Sequence, residues 1–497
     1  MRQAETGKNL MSISKEHAFK NVVYAALNKG VTLACAGLTT MVVARNLTAR
    51  DYGVVGFATI IIEFLLQFAD MGLLRAAIRR PSIQARSLET AFTLKALLSF
   101  SVFGLALSVA PLSRHFLDHP ATANVIRILS INFLVTTIGF GSRVVLTREM
   151  NYRALMVPSA VAAVAQAAAV IVLILRGWSY WAVVIGDVVS NLTAAVVLQL
   201  MRGFPGRFYF DWSDAREYLN FGLPLFGSGV VIFVITNLDN FLVSVFMGSV
   251  QLGYYALAFT WSNFICILLS ETVNNVLLPA LARIQDDASA LRRWYLKTID
   301  LTAFVSVIAN TTLMVNAHWF LVTFLGQGSE KWLPAQSALQ ILCIYGVLRA
   351  VTAPLSPCLM ARGQTKPLWN ANLLIAAIEM VLLLAAVRSG RVELVASAMV
   401  ISFPCGTWGL MPFLRRELSV ELSDIGAQIW PVIPAMVVAS IFTSLLPASL
   451  GGTMLTLLLR GLFTASVAAL THGLCTRFRC FHETRGMIWQ NVERMRA

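Results

Sequence analysis

Long apolar runs recur along the whole chain, and this repetition is the feature that most restricts its fold. A helix that crosses a membrane needs about 20 apolar residues, and by that rule we predict about fourteen spans. The runs lie near residues 22–44, 52–72, 91–111, 125–146, 154–175, 180–201, 221–246, 252–279, 301–325, 335–360, 367–387, 393–413, 428–446 and 453–475. Because backbone polar groups must be satisfied inside a bilayer, we predict an all-α integral membrane protein.

The composition agrees with that prediction. Of the 497 residues, 57% are hydrophobic and 13% are charged, whereas about 25% are charged in soluble proteins. The net charge of +14 would also suit a nucleic-acid-binding protein, but the basic residues lie at the ends of the apolar runs instead of forming one soluble patch. We therefore exclude nucleic acid as a partner.

The connections between the runs alternate in charge. Residues 75–86 are rich in arginine, whereas residues 248–251 and 447–452 carry no charge. Basic connections of membrane proteins face the cytoplasm. The alternation therefore predicts that both termini are cytoplasmic, which requires an even number of spans.

A weak internal repeat relates VTLACAGLTTMVVARNLTARDYGVVGFA to VIFVITNLDNFLVSVFMGSVQLGYYALA. Six predicted spans separate the two copies, so both copies have the same orientation, and transporters with such repeats bind substrate between the halves. The domains that we predict are a cytoplasmic segment (1–20), a six-helix lobe (21–201), a cytoplasmic linker (202–220), a second six-helix lobe (221–414), two further transmembrane helices (415–476) and a basic cytoplasmic tail (477–497).

Polar residues interrupt the apolar stretch from Val234 to Phe259. Asn237, Asp239 and Asn240 lie there at membrane depth. A carboxylate at the centre of a bilayer costs roughly 2.5–3.5 kcal/mol on insertion scales. We therefore expect these side chains to face an interior cavity or a partner group.

Basic residues also lie inside predicted spans, and two of them are candidates for substrate binding. Lys29, beside Asn28, is in the first span, and Arg349 is near the middle of the tenth. A cation in an aqueous cavity attracts anions. We predict that Lys29 and Arg349, together with Asn28, Asn237 and Asn240, bind an anionic substrate.

Acidic residues inside the spans are candidates for ion coupling or gating. We predict this role for Asp239, Glu63, Asp70 and Glu271. The alternative for several acids is an internal ion pair that only stabilises helix packing. That alternative applies to Glu63, Asp70, Asp187 and Glu379, and we expect Lys95 to extend to the cytoplasmic surface.

Enzyme motifs are missing from the sequence. It contains no Walker loop, no HExxH and no GxSxG, so we predict neither ATP-driven transport by this chain nor a cofactor. The tail carries His472, Cys475, Cys480 and His482, which would be zinc ligands at tighter spacing. Because the spacing is loose and arginines surround it, we predict no metal site.

Several segments resemble one known family. They are RNLTARDYGVVGFATIIIEFLLQFADMGLLRAAIRR, TREMNYRALMV, NLDNFLVSVFMGSVQLGYYALAF, NNVLLPALARIQDDASALRRWYLKTI and ARGQTKPLWN. Together they are similar to the Wzx-like lipid-linked oligosaccharide flippases of the multidrug/oligosaccharidyl-lipid/polysaccharide exporter superfamily, nearest its colanic-acid-exporter-like branch. Asp239 lies in the third segment, whereas Lys29 and Arg349 lie outside all five.

The resemblance implies a V-shaped bundle of two six-helix lobes with two extra helices, working by alternating access in the bacterial inner membrane. It implies a substrate carried on undecaprenyl pyrophosphate, moved from the cytoplasmic to the outer leaflet. Membrane lipids, and possible polymerase and chain-length or export components, are the partners that it suggests.

Three other functions remain open from the sequence. A cation-coupled multidrug exporter would share the fold, although Arg349 at mid-depth disfavours cationic drugs. A glycan polymerase or ligase usually needs a large outer loop, and the outer connections here are short. A scaffold for export components would not need charges buried in the membrane.

Overall fold

The computed structural model describes residues 28–80, 84–115, 121–149, 151–204, 206–282, 284, 287–362, 365–447 and 452–476. The predicted cytoplasmic segment 1–20 and the tail 477–497, with Cys480 and His482, lie outside these residues. The described part is almost entirely helical and contains no strand. It divides into two compact units, residues 1–237 and 238–497.

The first unit is a bundle of helices that runs to Asn237. Its helices are α1 (28–46, the described part), α2 (Ala49–Asp70), α3 (Leu73–Arg79), α4 (Ala85–Val109), α5 (Ala121–Leu129), α6 (Ile131–Ile138), α7 (Phe140–Arg148), α8 (Tyr152–Leu175), α9 (Trp181–Met201) and the start of α10 (Trp212–Ala282). A 3-10 helix, Ala110–His115, follows α4. Buried apolar residues of α3, α4, α7 and the first turns of α10 form one core cluster.

The second unit contains the rest of α10 and ten further helices. These are α11 (Ala288–Val315), α12 (Ala317–Trp319), α13 (Gln336–Thr352), α14 (Leu355–Ala361), α15 (Thr365–Val387), α16 (Val392–Trp408), α17 (Met411–Leu418), α18 (Leu422–Ile429), α19 (Val432–Ser444) and α20 (Met454–Cys475). A π-helix, Phe320–Leu325, follows α12, and a 3-10 helix, Leu333–Ala335, precedes α13.

Eleven helical segments of the described part are long and apolar enough to cross a membrane. The prediction of an all-α, multi-span membrane protein is therefore confirmed. One of the eleven, Trp212–Ser270, has 59 residues and would extend about 88 Å as a straight helix, enough for two spans. The helix at 28–46 and the shorter apolar helix Val392–Cys405 are the other places where further spans are expected. The total of about fourteen stays a prediction.

Helix α10 reverses direction at Gly248. That residue has φ 82° and ψ 179°, the one non-helical conformation within the helix, and glycine reaches a positive φ without steric cost. Sixteen residues of straight helix extend about 24 Å, yet the Tyr255 hydroxyl lies 2.7 Å from Asp239 Oδ2. The two parts of α10 therefore pack side by side, as expected for two spans joined by a tight turn.

Helix α2 packs antiparallel against the first part of α10. Phe68 contacts Phe226 and Phe64 contacts Phe233, with ring centroids 4.9 and 5.7 Å apart. The backbones of the two segments approach each other closely at Gly72, just after α2, and Gly222. A Cβ on Gly72 would lie 2.9 Å from the carbonyl oxygen of Gly222, so this crossing requires the absence of side chains.

Capping residues fix where several helices begin. At α2 the Thr48 hydroxyl accepts from the Asp51 amide at 3.2 Å, and the Asp51 carboxylate accepts from the Thr48 amide at 3.3 Å. Asp211 caps α10 in the same way, by accepting from the Asp214 amide at 3.0 Å. Such caps satisfy amides that the first turn leaves without partners.

Candidate functional site

A fully buried carboxylate lies at the start of the second unit. Asp239 accepts a hydrogen bond from the Tyr255 hydroxyl at 2.7 Å and one from Asn240 Nδ2 at 3.1 Å. The reversal at Gly248 brings Tyr255 back to the level of Asp239. Two donors on one carboxylate offset part of the cost of removing it from water.

Arg349 provides the positive charge of this site. It lies on α13, is half-buried, and donates from Nη1 to Asn263 Oδ1 at 3.4 Å. Its guanidinium interacts electrostatically with two acids, Asp239 and Glu379. We call Asp239, Tyr255, Asn263, Arg349 and Glu379 the charged cluster.

Glu379 completes the charged cluster from helix α15. Its side chain is buried, and within the described residues its Oε2 atom forms no hydrogen bond. The cluster therefore contains two carboxyl groups and one guanidinium. When both carboxyl groups are ionised, its formal charge is −1, which leaves it able to accept a cation.

Arg349 could also bind an external anion. A half-buried guanidinium with five donors binds phosphate or carboxylate groups in a bidentate manner. An anion that bound Arg349 would compete with Asp239 and Glu379.

Sequence reasoning missed the neutral members of the cluster and Tyr345. Tyr255, Phe259 and Asn263 are spaced four residues apart on α10, so they share one helical face. The Tyr345 ring packs against Phe259, with centroids 6.3 Å apart. The regular spacing could have shown from the sequence that these three residues share a face. It does not show that this face meets Asp239.

A buried arginine in the last helix was also missed. Arg460 of α20 donates from Nε to Asn316 Oδ1 at 3.0 Å and from Nη2 to the Thr443 carbonyl at 3.1 Å. These contacts attach α20 to the end of α11 and to α19. An ionisable residue inside a span is a candidate functional residue. The sequence alone could therefore have identified Arg460.

The first unit holds the other predicted substrate-binding residues. Lys29 and Asn28 lie half-buried on α1, and the backbone carbonyl of Asn28 accepts from the Thr32 hydroxyl at 2.9 Å. Asn28 Oδ1 is buried and has no hydrogen-bond partner within the described residues. Asn237 donates to the Phe233 carbonyl of its own helix at 3.1 Å.

A second group of acids lies in the first unit. Glu63 is exposed on α2 and interacts electrostatically with Asp187 of α9. Asp187 Oδ2 accepts from Asn132 Nδ2 at 2.7 Å and from Asn191 Nδ2 at 3.4 Å. Among the described residues no basic group forms an ion pair with either acid.

The remaining candidates occupy separate places. Asp70 is half-buried at the end of α2, near Lys95. Lys95 does not extend to the surface as expected: it is buried and donates to the Ala69 carbonyl at 2.9 Å, because the end of α2 offers unsatisfied carbonyl groups. The Glu271 side chain lies outside the described residues.

The tail pattern is only partly visible. His472 is buried against the Phe304 ring, with centroids 5.3 Å apart, and neither ring nitrogen forms a hydrogen bond within the described residues. In that part of the chain no group of three or more His, Cys, Asp or Glu side chains is arranged to hold a metal ion.

Comparison with known proteins gives one family match. A family model described as "Polysaccharide biosynthesis protein" matches residues 42–337. The lipopolysaccharide biosynthesis protein WzxC of Escherichia coli strain K12 is 24% identical over 356 residues, 70% of this chain and 71% of the relative. The teichuronic acid biosynthesis protein TuaB of Bacillus subtilis strain 168 is 25% identical over 364 residues, 72% of this chain and 74% of the relative.

Solved structures show the same fold. The lipid II flippase MurJ, in an inward closed conformation, matches with a TM-score of 0.75 at 13% identity over 92% of this chain and 99% of that chain. An inward-facing multidrug resistance transporter of the MATE family matches with a TM-score of 0.58 at 14% identity, over 78% of this chain and 98% of that chain. The predicted transporter fold is therefore confirmed.

Proposed function

Because this chain belongs to the polysaccharide biosynthesis protein family, we propose that it moves an undecaprenyl-pyrophosphate-linked oligosaccharide from the cytoplasmic to the outer leaflet of the bacterial inner membrane. Three relatives support this function by name. Two are biosynthesis proteins for lipopolysaccharide and teichuronic acid, and the third is the succinoglycan biosynthesis transport protein ExoT of Rhizobium meliloti strain 1021, 23% identical over 56% of each chain. The fold shared with a lipid II flippase agrees with it.

The charged cluster is the single observation that carries the mechanism. Arg349 lies inside a predicted span and interacts electrostatically with Asp239 and Glu379, and an ionisable residue at that depth marks a candidate functional site. In the proposal, the pyrophosphate or an acidic sugar binds Arg349 in place of Asp239 and Glu379. Asn240, which donates to Asp239, contributes a neutral donor to the same head group.

Lys29, Asn28 and Asn237 remain proposed substrate-binding residues. Lys29 would supply a positive charge to the substrate, and Asn28 and Asn237 would supply amide groups to its sugar. The released Asp239 takes up a cation, which couples ion movement to substrate release. Glu63, Asp70 and Glu271 remain proposed coupling or gating groups.

The membrane potential favours the proposed direction. An anion that moves toward a positive outer side gains about 2.3 kcal/mol per charge for each 100 mV. Transport in this scheme breaks no covalent bond, so the chain acts as a transporter and not as an enzyme. In this proposal both termini lie in the cytoplasm, and a polysaccharide polymerase and chain-length or export components are the proposed partners.

Replacement of Arg349 tests the proposal in cells. In a strain whose polysaccharide export depends on this chain, we expect Arg349→Ala to reduce export at least tenfold, while the amount of protein in the membrane stays normal. The loss follows because the head group loses its bidentate donor. Export is measured as surface polysaccharide, and the lipid-linked precursor should accumulate in the cytoplasmic leaflet.

Arg391→Ala is the matched control. Arg391 is exposed and pairs only locally with Glu393, at 3.8 Å, so its loss should leave export unchanged. Normal export by Arg349→Ala would remove Arg349 from the mechanism. Unchanged export combined with greater sensitivity to cationic drugs on deletion would instead identify a multidrug exporter.

A further inference from the structure

A cavity in the first unit lies where α3 ends and the first turns of α10 begin. Its volume is about 450 Å³, within the range of roughly 300–1,000 Å³ that is typical of small-molecule sites. Its lining includes Arg79, Arg80, Glu217, Tyr218, Asn220 and Phe221, and we call these six residues the α3–α10 pocket. The pocket lies at the ends of the apolar runs 52–72 and 221–246, so we place it at the level of the lipid head groups.

Ion pairs and a buried ring hold one wall of the pocket in place. Arg80 pairs with Asp214 at 2.8 Å and with Glu217, and its side chain is only 15% exposed. Its guanidinium lies over the Tyr218 ring, 4.6 Å from the centroid, and the Tyr218 hydroxyl donates to the Ser87 carbonyl at 3.2 Å. Arg80 is therefore committed to the protein, and an external group must bind the other polar side chains of the pocket.

Arg79 provides an uncommitted cation. Its guanidinium lies over the Phe221 ring, 4.4 Å from the centroid, and within the described residues it forms no hydrogen bond or ion pair. Stacking on a ring leaves the N–H groups at the edge of a guanidinium available. Asn220 is exposed, and its amide likewise forms no hydrogen bond in that part of the chain. Both side chains can therefore donate to the oxygens of a phosphate group.

Glu217 adds an acceptor of opposite charge to the same pocket. Its side chain is 64% exposed although it pairs with Arg80, and an ionised carboxylate has about four lone-pair sites. Arg80 donates to this carboxylate from Nε at 3.2 Å and from Nη2, which leaves the other sites open to a ligand. Arg79 interacts electrostatically with Glu217, so the two opposite charges lie near each other.

We propose that the α3–α10 pocket binds a phospholipid whose head group carries a phosphate and a primary amine, as in phosphatidylethanolamine. The phosphate binds Arg79 and Asn220, and the ammonium group donates to Glu217. A purely basic pocket between helices favours anionic lipids, whereas a carboxylate in the wall repels a head group that carries negative charge alone. Leu223, one turn beyond Asn220, is 45% exposed and continues the surface toward the acyl chains.

Native mass spectrometry of the purified full chain in detergent tests this site. Phosphatidylethanolamine, phosphatidylcholine and phosphatidylglycerol with identical acyl chains are added one at a time, and the dissociation constant of the first bound lipid is measured. We expect the wild type to bind phosphatidylethanolamine about fivefold more tightly than the other two, a factor in the range of exposed ion pairs. Among the three lipids, only phosphatidylethanolamine combines a phosphate with N–H donors for Glu217.

Two variants separate the two charges. Arg79→Ala should weaken the binding of all three lipids about fivefold, whereas Glu217→Gln should remove only the preference for phosphatidylethanolamine. Arg75→Ala is the matched control for Arg79, because Arg75 is also exposed on α3 but does not line the pocket. Glu149→Gln is the control for Glu217, because its exposed carboxylate pairs with Arg202 at 2.8 Å. Both controls should bind the three lipids as the wild type does.

Unchanged lipid binding by Arg79→Ala would overturn the proposal, and so would a preference for phosphatidylethanolamine that survives in Glu217→Gln. Tighter binding of phosphatidylglycerol than of phosphatidylethanolamine by the wild type would instead identify a site for anionic lipids. Soluble phosphoethanolamine that displaces the lipid at equal concentration would show that the acyl chains contribute nothing, and that the site holds a free ligand. The selectivity of the wild type requires no variant, and none of these measurements depends on transport or on the proposed function.

Discussion

At the scale of residues, several charges in the membrane-spanning part of this protein have specific hydrogen-bond partners. Asp239 has a phenol and an amide, Lys95 has a helix-terminal carbonyl, and Arg460 has an amide and a carbonyl. The sequence identified Asp239 because it interrupts an apolar run. It did not identify Tyr255 or Glu379 as its neighbours, since those contacts depend on where the chain reverses and which helices meet.

Loss of the Tyr255 hydroxyl should destabilise the second unit. In Tyr255→Phe the Asp239 carboxylate keeps only the Asn240 bond, and a hydrogen bond to a charged group contributes about 1.5–3 kcal/mol. We expect a lower melting temperature of the purified protein, measured by its intrinsic fluorescence. Tyr254→Phe is the control, because that ring packs edge-on against Trp332. Equal melting temperatures for both variants would show that the bond to Asp239 contributes little.

At the scale of elements, helix pairs are set by contacts that local sequence patterns do not specify. Apolar length predicted the spans, and the short connection at residues 248–251 predicted the turn between the two parts of α10. The antiparallel pairing of α2 with α10 depends on residues about 150 positions apart, such as Gly72 and Gly222. A single sequence shows these glycines but not which one each of them meets.

The crossing of α2 and α10 gives a prediction for Gly222. A Cβ at this position would overlap the Met71 carbonyl oxygen, and overpacking of this kind costs about 1–3 kcal/mol. We expect Gly222→Ala to lower both the melting temperature and the amount of protein in the membrane. Gly227→Ala, on the same helix with no atom within 4 Å of the added Cβ, should leave both unchanged or raise stability slightly. Equal behaviour of the two variants would contradict the close crossing.

Ion pairs lie at the end of the same crossing where α3 ends and α10 begins. Arg80, just after α3, pairs with Asp214 at 2.8 Å and with Glu217, both on the first turns of α10. These carboxylates raise the pKa of Arg80, with the Glu217 hydrogen bond as the largest cause. The first part of α10 is therefore positioned in two ways. Glycines permit its close approach to α2, and ion pairs fix the end where α10 begins.

At the scale of the whole molecule, the sequence predicted the class of protein well. Hydropathy alone predicted a multi-span helical membrane protein, because the length of an apolar helix is dictated by bilayer thickness. The division into two compact units falls between Asn237 and Leu238, inside α10. Each unit carries its own buried or half-buried acids, Asp239 and Glu379 in the second unit and Asp187 in the first.

The most direct test of the central claim uses vesicles that contain only this chain and a fluorescently labelled lipid-linked oligosaccharide in one leaflet. A membrane-impermeant quencher then measures how fast the label reaches the opposite leaflet. We predict rapid transfer with the wild type and with Arg391→Ala, and transfer near that of protein-free vesicles with Arg349→Ala. Transfer by Arg349→Ala at the wild-type rate, or no transfer by the wild type, would contradict the account.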